Sequence, residues 1–176
     1  MIIIGLGNPG PKYKNTRHNI GFEALERIRK HYELPPFSFF KKLDAEISKG
    51  KIILAKPLTF MNLSGQAVRK ILKKYYLSPL DLIVIQDDID INLGEVKVSK
   101  NRGSAGHKGI NSIISEIGTK DFTRIRIGIL SDDKKTIAVE RFVIQKFSEE
   151  EKLIVEEVLK KTIEIVDEII KKEAEN

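Results

Sequence analysis

The 176 residues contain no cysteine. That absence removes a disulfide scaffold, a thiolate nucleophile and any cysteine metal site, and it fits a reducing compartment. No apolar run approaches the roughly 18–20 residues needed to cross a bilayer, and the first residues lead into a strand-like run instead of a basic-then-apolar leader. The expectation is a soluble, cytoplasmic chain. Repeats and low-complexity tracts are missing as well.

What is present suffices for one full core. At 41% hydrophobic, the chain reads as a single domain over residues 1–176. Lysine and arginine number 31 against 25 acids, a formal charge of +6. The excess is uneven: residues 148–176 carry ten acids and five bases, so that stretch holds −5 and the rest +11. A basic body favours a polyanionic partner, because neutralising phosphates releases counterions, although lysines kept for solubility give the same composition.

The chain opens with a buried-type strand, Met1 to Ile4, that runs into a glycine-rich turn. An amphipathic helix follows from Ile20 to Tyr32, with Leu25 and Ile28 inward and His31 on the surface. Leu34-Pro35-Pro36-Phe37 breaks the helical pattern and starts a connection, and residues 44–48 and 51–56 form a hairpin around Lys49-Gly50. A helix is expected from Gln66 to Tyr76, with Val68, Ile71 and Leu72 on one face. Asp81 to Gln86 is a second buried strand that ends in an acidic turn, Asp87 to Asp90. Val96 to Val98 is a short strand, Ile110 to Ile117 a helix, and Arg124 to Leu130 a half-buried strand. The last helix runs from Ser148 to about Lys172, opened by the Ser148/Glu151 capping box, with Leu153, Val155, Val158, Leu159, Val166 and Ile170 as its apolar face. Alternating strands and helices predict an α/β fold: a twisted mixed sheet, mostly parallel, flanked by helices.

Gly5, Gly7 and Gly10 spell the dinucleotide fingerprint, but its context is missing. Pro9 and Pro11 flank Gly10, no helix opens there, and no strand ends in an acid about 20 residues on. Glycines that only turn the chain leave Asn8 and His18 unexplained. Asn8 and Asp87 both directly follow apolar strands, and parallel strands bring such ends to one edge of the sheet. A His18–Asp87 pair would fix the imidazole tautomer and let the other ring nitrogen take a proton from water. No serine sits in a nucleophile-elbow setting, so direct attack by water is preferred to an acyl-enzyme. Asn8 and Asn62 would be neutral amides able to donate to a carbonyl or oxyanion. Two other readings stand beside this one. His18 could merely cap its helix, and Asp87, Asp88 and Asp90 with His18 and His107 could hold a hard divalent ion, although their spacing matches no dense ligand motif.

Several blocks in one order carry a family resemblance. They are GLGNPG from Gly5 to Gly10, then Tyr13 and Thr16-Arg17-His18-Asn19, KPLTFMNLSG from Lys56 to Gly65, Asp87-Asp88-Ile89-Asp90, GHKG from Gly106 to Gly109, and Arg124-Ile125-Arg126-Ile127-Gly128. Over nearly its full length the chain resembles bacterial-type peptidyl-tRNA hydrolase. The resemblance implies a monomeric α/β enzyme, without cofactor or metal, that hydrolyses the ester joining a peptide to the terminal ribose of tRNA. His18 would be the general base and Asp87 its supporting carboxylate. Asn8 would contact the peptide and separate peptidyl- from aminoacyl-tRNA, and Asn62 would bind and polarise the substrate. Tyr13 and Phe60 would be further substrate contacts, and Lys97 and Arg126 would meet tRNA phosphates. Two positions depart from the family pattern. Lys108 replaces an asparagine, so a neutral amide contact becomes a point charge. Ser99 replaces a phosphate-binding lysine, a charge that Lys100 or Arg102 could restore.

Overall fold

The computed structural model describes residues 1–131 and 137–175. The sheet is built outward from β1 (Ile2–Gly5), whose three isoleucines are fully buried and alternate between two cores. Ile3 faces α1 (Ile20–His31) and α5 (Glu149–Ala174), while Ile2 and Ile4 face α2 (Ser64–Tyr75) and α3 (Lys108–Ile117). Burial on both faces is why this strand reads as a continuous apolar run, and each such side chain contributes roughly 1.5–3 kcal/mol.

On one side β1 pairs in parallel with β4 (Ile53–Pro57), which is antiparallel to β3 (Ala45–Lys49) and, beyond it, β2 (Ser38–Phe40). On the other side β1 pairs in parallel with β5 (Leu82–Asn92), β5 with β7 (Thr123–Leu130), and β7 antiparallel with the edge strand β6 (Val96–Lys100). The order β2-β3-β4-β1-β5-β7-β6 gives one α/β domain with a four-strand parallel centre and antiparallel margins. The short helix α4 (Val139–Phe142) precedes α5. Among the described residues no helix is long and apolar enough to cross a membrane.

Three elements differ from the sequence reading. Strand β2 lies within the expected connection and is exposed along its whole length, so no face of it carries a pattern. The expected acidic turn is strand: β5 continues through Asp87 to Asn92, paired with β7 and irregular between Asp88 and Asn92. Pairing with a neighbour has overridden the low strand preference of aspartate. Leu153, expected on the apolar face of α5, is 73% exposed, whereas Val155, Val158, Leu159 and Val166 are buried.

The glycines have mechanical roles. A Cβ on Gly5 would stand 2.2 Å from the Gly21 carbonyl oxygen, and one on Gly21 would stand 2.5 Å from the Leu6 nitrogen. Helix α1 therefore lies directly on the end of β1 only because both positions lack a side chain. This contact holds the start of α1, and with it His18, over the carboxyl ends of the parallel strands.

Candidate active site

At Leu6 the chain turns away from β1, whose last pairing is Gly5 with Ile85, and β5 carries on alone to present Asp87. The turn is clasped to the start of α1 by a reciprocal pair: the Asn8 amide donates to Asn19 Oδ1, and Asn19 Nδ2 donates to the Asn8 carbonyl, both at 2.9 Å. Asn8 Oδ1 accepts from the Met61 backbone N–H at 2.8 Å. That bond fixes the side-chain amide and leaves its Nδ2 donor without a partner among the described residues.

His18 is held by both backbone and ring. Its N–H donates to the Val143 carbonyl (2.8 Å) and that of Arg17 to the Gln145 carbonyl (2.9 Å), next to an isolated bridge between Thr16 and Lys146. Arg17 is 2% exposed. Its guanidinium lies between the rings of Phe142 and Phe147, 4.5 and 4.9 Å from their centroids, and its Nη2 donates to both oxygens of Glu151 at 2.9 and 2.8 Å. Glu151 also closes the capping box, accepting from the Ser148 N–H, so one carboxylate fastens the last helix to the turn that carries His18.

The His18 ring meets Asp87 through Nδ1, 2.8 and 2.9 Å from the two carboxylate oxygens. His107 reaches the same carboxylate through Nε2 at 3.0 Å. His107 Nδ1 accepts from the backbone N–H groups of Gly109 and Ile110 at 3.1 and 3.3 Å, as the N-cap of α3. A nitrogen facing two donors carries no proton, so the His107 proton sits on Nε2 and is donated to Asp87. Facing a carboxylate, His18 Nδ1 is likewise the donor, so in the neutral ring Nε2 is the nitrogen that can accept a proton. Burial alone would raise the Asp87 carboxyl, but the charge and hydrogen bonds of the two imidazoles hold it far below the usual carboxylate range.

These groups open onto a cleft of about 720 Å³ whose lining includes Asn8, His18, Asn62, Asp87, His107 and Ile144. Phe60 and Lys108 also line it. Asn62 is exposed on the turn Met61–Leu63. Tyr13 is not among the lining residues but stacks edge-on against Phe60, with centroids 6.4 Å apart. Lys108 is exposed and 3.6 Å from Glu140. Lys97 and Arg126 are cross-strand partners on β6 and β7 outside the lining; Lys97 pairs with Glu95 at 3.4 Å, and Arg126 Nε donates to Asp88 at 2.7 Å. Ser99 Oγ is buried without a partner among the described residues.

Strand alternation divides the acidic run. Asp87 serves the imidazoles, Asp88 serves Arg126 and the Asp90 N–H, and Asp90 is exposed. His18, Asp87 and His107 do bring one potential ligand atom each within 4.8 Å of one another. A metal on His107 Nε2 would require the proton to move to Nδ1, against two backbone donors, so this set is arranged for hydrogen bonding rather than ligation. Sequence reasoning did not find the part played by His107 as the second donor to Asp87, nor that of Arg17. The capping position of His107 before α3 was the available signal for the first; Arg17 offered none.

The whole chain, residues 2–176, matches the family model described as peptidyl-tRNA hydrolase. The peptidyl-tRNA hydrolase of Clostridium tetani is 41% identical over 163 residues, covering 91% of this chain and 85% of the relative. That of Aquifex aeolicus is 42% identical over 165 residues, covering 92% and 85%. The crystal structure of peptidyl-tRNA hydrolase from Acinetobacter baumannii superposes with a TM-score of 0.89 at 29% identity, over 98% of this chain and 89% of that one.

Proposed function

The chain belongs to the peptidyl-tRNA hydrolase family, and from that premise we propose that it hydrolyses the ester linking a peptide to the terminal ribose of tRNA, with His18 as general base. The reaction frees tRNA from peptidyl-tRNA that has left the ribosome early. The observation that carries the reading is the His18–Asp87 pair on the wall of the cleft, joined through Nδ1 so that Nε2 is the nitrogen left to act on a water.

A water held at His18 Nε2 loses its proton to the ring as its oxygen adds to the ester carbonyl. The ionised Asp87 carboxylate, already bonded to Nδ1–H, stabilises the imidazolium that forms. Asn62 donates to the carbonyl oxygen as negative charge develops there. When the tetrahedral species collapses, the imidazolium returns its proton to the departing ribose oxygen, giving tRNA and a peptide carboxylate. The free Asn8 Nδ2 suits the carbonyl of the peptide's last amide, and an aminoacyl ester offers an ammonium there instead, which a donor repels. Tyr13 and Phe60 would bear on the 3′ end, and Lys97, Lys108 and the outer face of Arg126 on the phosphates of the acceptor arm. The protein acts as a cytoplasmic monomer and needs no metal.

His18→Asn removes the base while keeping size and polarity. Turnover of peptidyl-tRNA should fall by about 10²–10⁴ with tRNA binding retained; unchanged turnover rejects the mechanism. Activity should persist in excess chelator, and loss that a divalent ion restores would favour the metal reading.

A further inference from the structure

Asn8 borders a second cleft, of about 800 Å³, on the α1 side of the turn. It begins where Asn8 and Asn19 clasp each other and follows one side of α1, with Phe22 and Phe147 as an apolar wall. Several of its charges are matched: Lys56 pairs with Glu26, Arg27 with Glu156 and Lys152 with Glu149. Glu23 is not. Its carboxylate has no hydrogen bond or ion pair among the described residues, and its Oε1 is sealed from solvent with nothing to accept from. Burial first, then the nearby charge of Glu156, push this carboxyl up to about 7 despite Arg27. A carboxylate withdrawn from water without donors is unfavourable, and an incoming ammonium or guanidinium would relieve it.

We propose that this cleft receives the upstream part of the peptide and that Glu23 selects a lysine or arginine side chain there. The inference rests on the hydrolase reading above. From Asn19 to Glu23 is four helical residues, a rise of about 6 Å, and an extended peptide covers roughly 3.3–3.6 Å per residue. A chain whose last amide is held at Asn8 therefore passes Glu23 at its second or third residue from the ester. The stem of a basic side chain would lie on Phe22 or Phe147 while its charged end meets Glu23. Half-buried Glu46, without an ion pair among the described residues, adds charge of the same sign to the lining. The cations Lys14 and Lys30, unpaired among the described residues, are exposed, where solvent screens them.

The test compares two substrates on one tRNA, tripeptidyl esters with either lysine or norleucine at the second and third residues. In the unmodified protein kcat/KM should favour lysine by about tenfold, the size of one charge-assisted hydrogen bond. In Glu23→Gln the ratio should fall to about one. Because each ratio is taken within one preparation, partial unfolding of the variant cancels. A ratio near one in the unmodified protein, or a preference that survives Glu23→Gln, overturns the proposal. Failure of the unmodified protein on an N-acetylated single-residue ester, too short to reach Glu23, would instead overturn the hydrolase reading on which the proposal stands.

Discussion

Asp87 and Glu23 are both carboxyl groups drawn out of water, and they have opposite fates. Asp87 receives N–H donors from two imidazoles and stays ionised far into acid. Glu23 receives none, lies near another acid, and titrates close to neutrality. Burial acts in the same direction on both, so the difference comes from the partners. A buried carboxylate stays a fixed anion only when the fold delivers donors to it, and here they come from the turn before α1 and the cap of α3.

The contrast breaks first at Asp87. Asp87→Asn keeps the shape but leaves His18 without an anion to stabilise its cationic form, and kcat on peptidyl-tRNA should fall by about 10² or more. The native pKa of Asp87 lies below its unfolded value, so its contribution to stability is present above about pH 4 and is lost as pH falls; acid unfolding curves should show that loss in the parent and not in Asp87→Asn. Glu23→Gln sharpens the other side. Its native pKa is raised from 4.5 to about 7, so ionisation costs stability as pH rises through that window. The substitution should therefore stabilise the protein by on the order of 3 kcal/mol at most above pH 7 and by nothing below the unfolded value. Denaturant titrations at the two pH values check this, and an equal gain at both would refute it. His107→Ala removes one donor from Asp87 and the cap from α3; we expect about a tenfold loss of kcat and about 1 kcal/mol of stability. The smallest effect belongs to Lys97→Ala, which should reduce the slope of log affinity for tRNA against log salt by about one.

Much of this was legible in the sequence where one local signal sufficed. The run Ile2 to Ile4, the helical period after Ile20 and the Ser148/Glu151 capping box each state their structure within a few residues. His18 and Asp87, 69 positions apart, pair in the sequence only because Asp87 and the loop that leads from Asn8 to His18 both follow apolar strands and because a family resemblance names them. Strand β2 escaped because three exposed residues carry no pattern, and its existence depends on β3. The extension of β5 escaped because Asp87-Asp88-Ile89-Asp90 has turn chemistry until β7 pairs with it. Arg17 was hidden for a more general reason: a charged residue is expected at the surface, and its burial needs an aromatic slot and an acid 134 positions away.

That last tie has a temporal consequence. While the protein is being made, the turn that bears His18 emerges well before the helix that bears Glu151. Until then Arg17 has neither its anion nor the aromatic rings of residues 142 and 147, and the carbonyls that receive the Arg17 and His18 amides do not yet exist. A chain cut short before residue 148 would therefore carry Asn8, His18, Asn62 and Asp87 but lack the carboxylate that fastens Arg17, and with it the tie between α5 and the turn that bears His18.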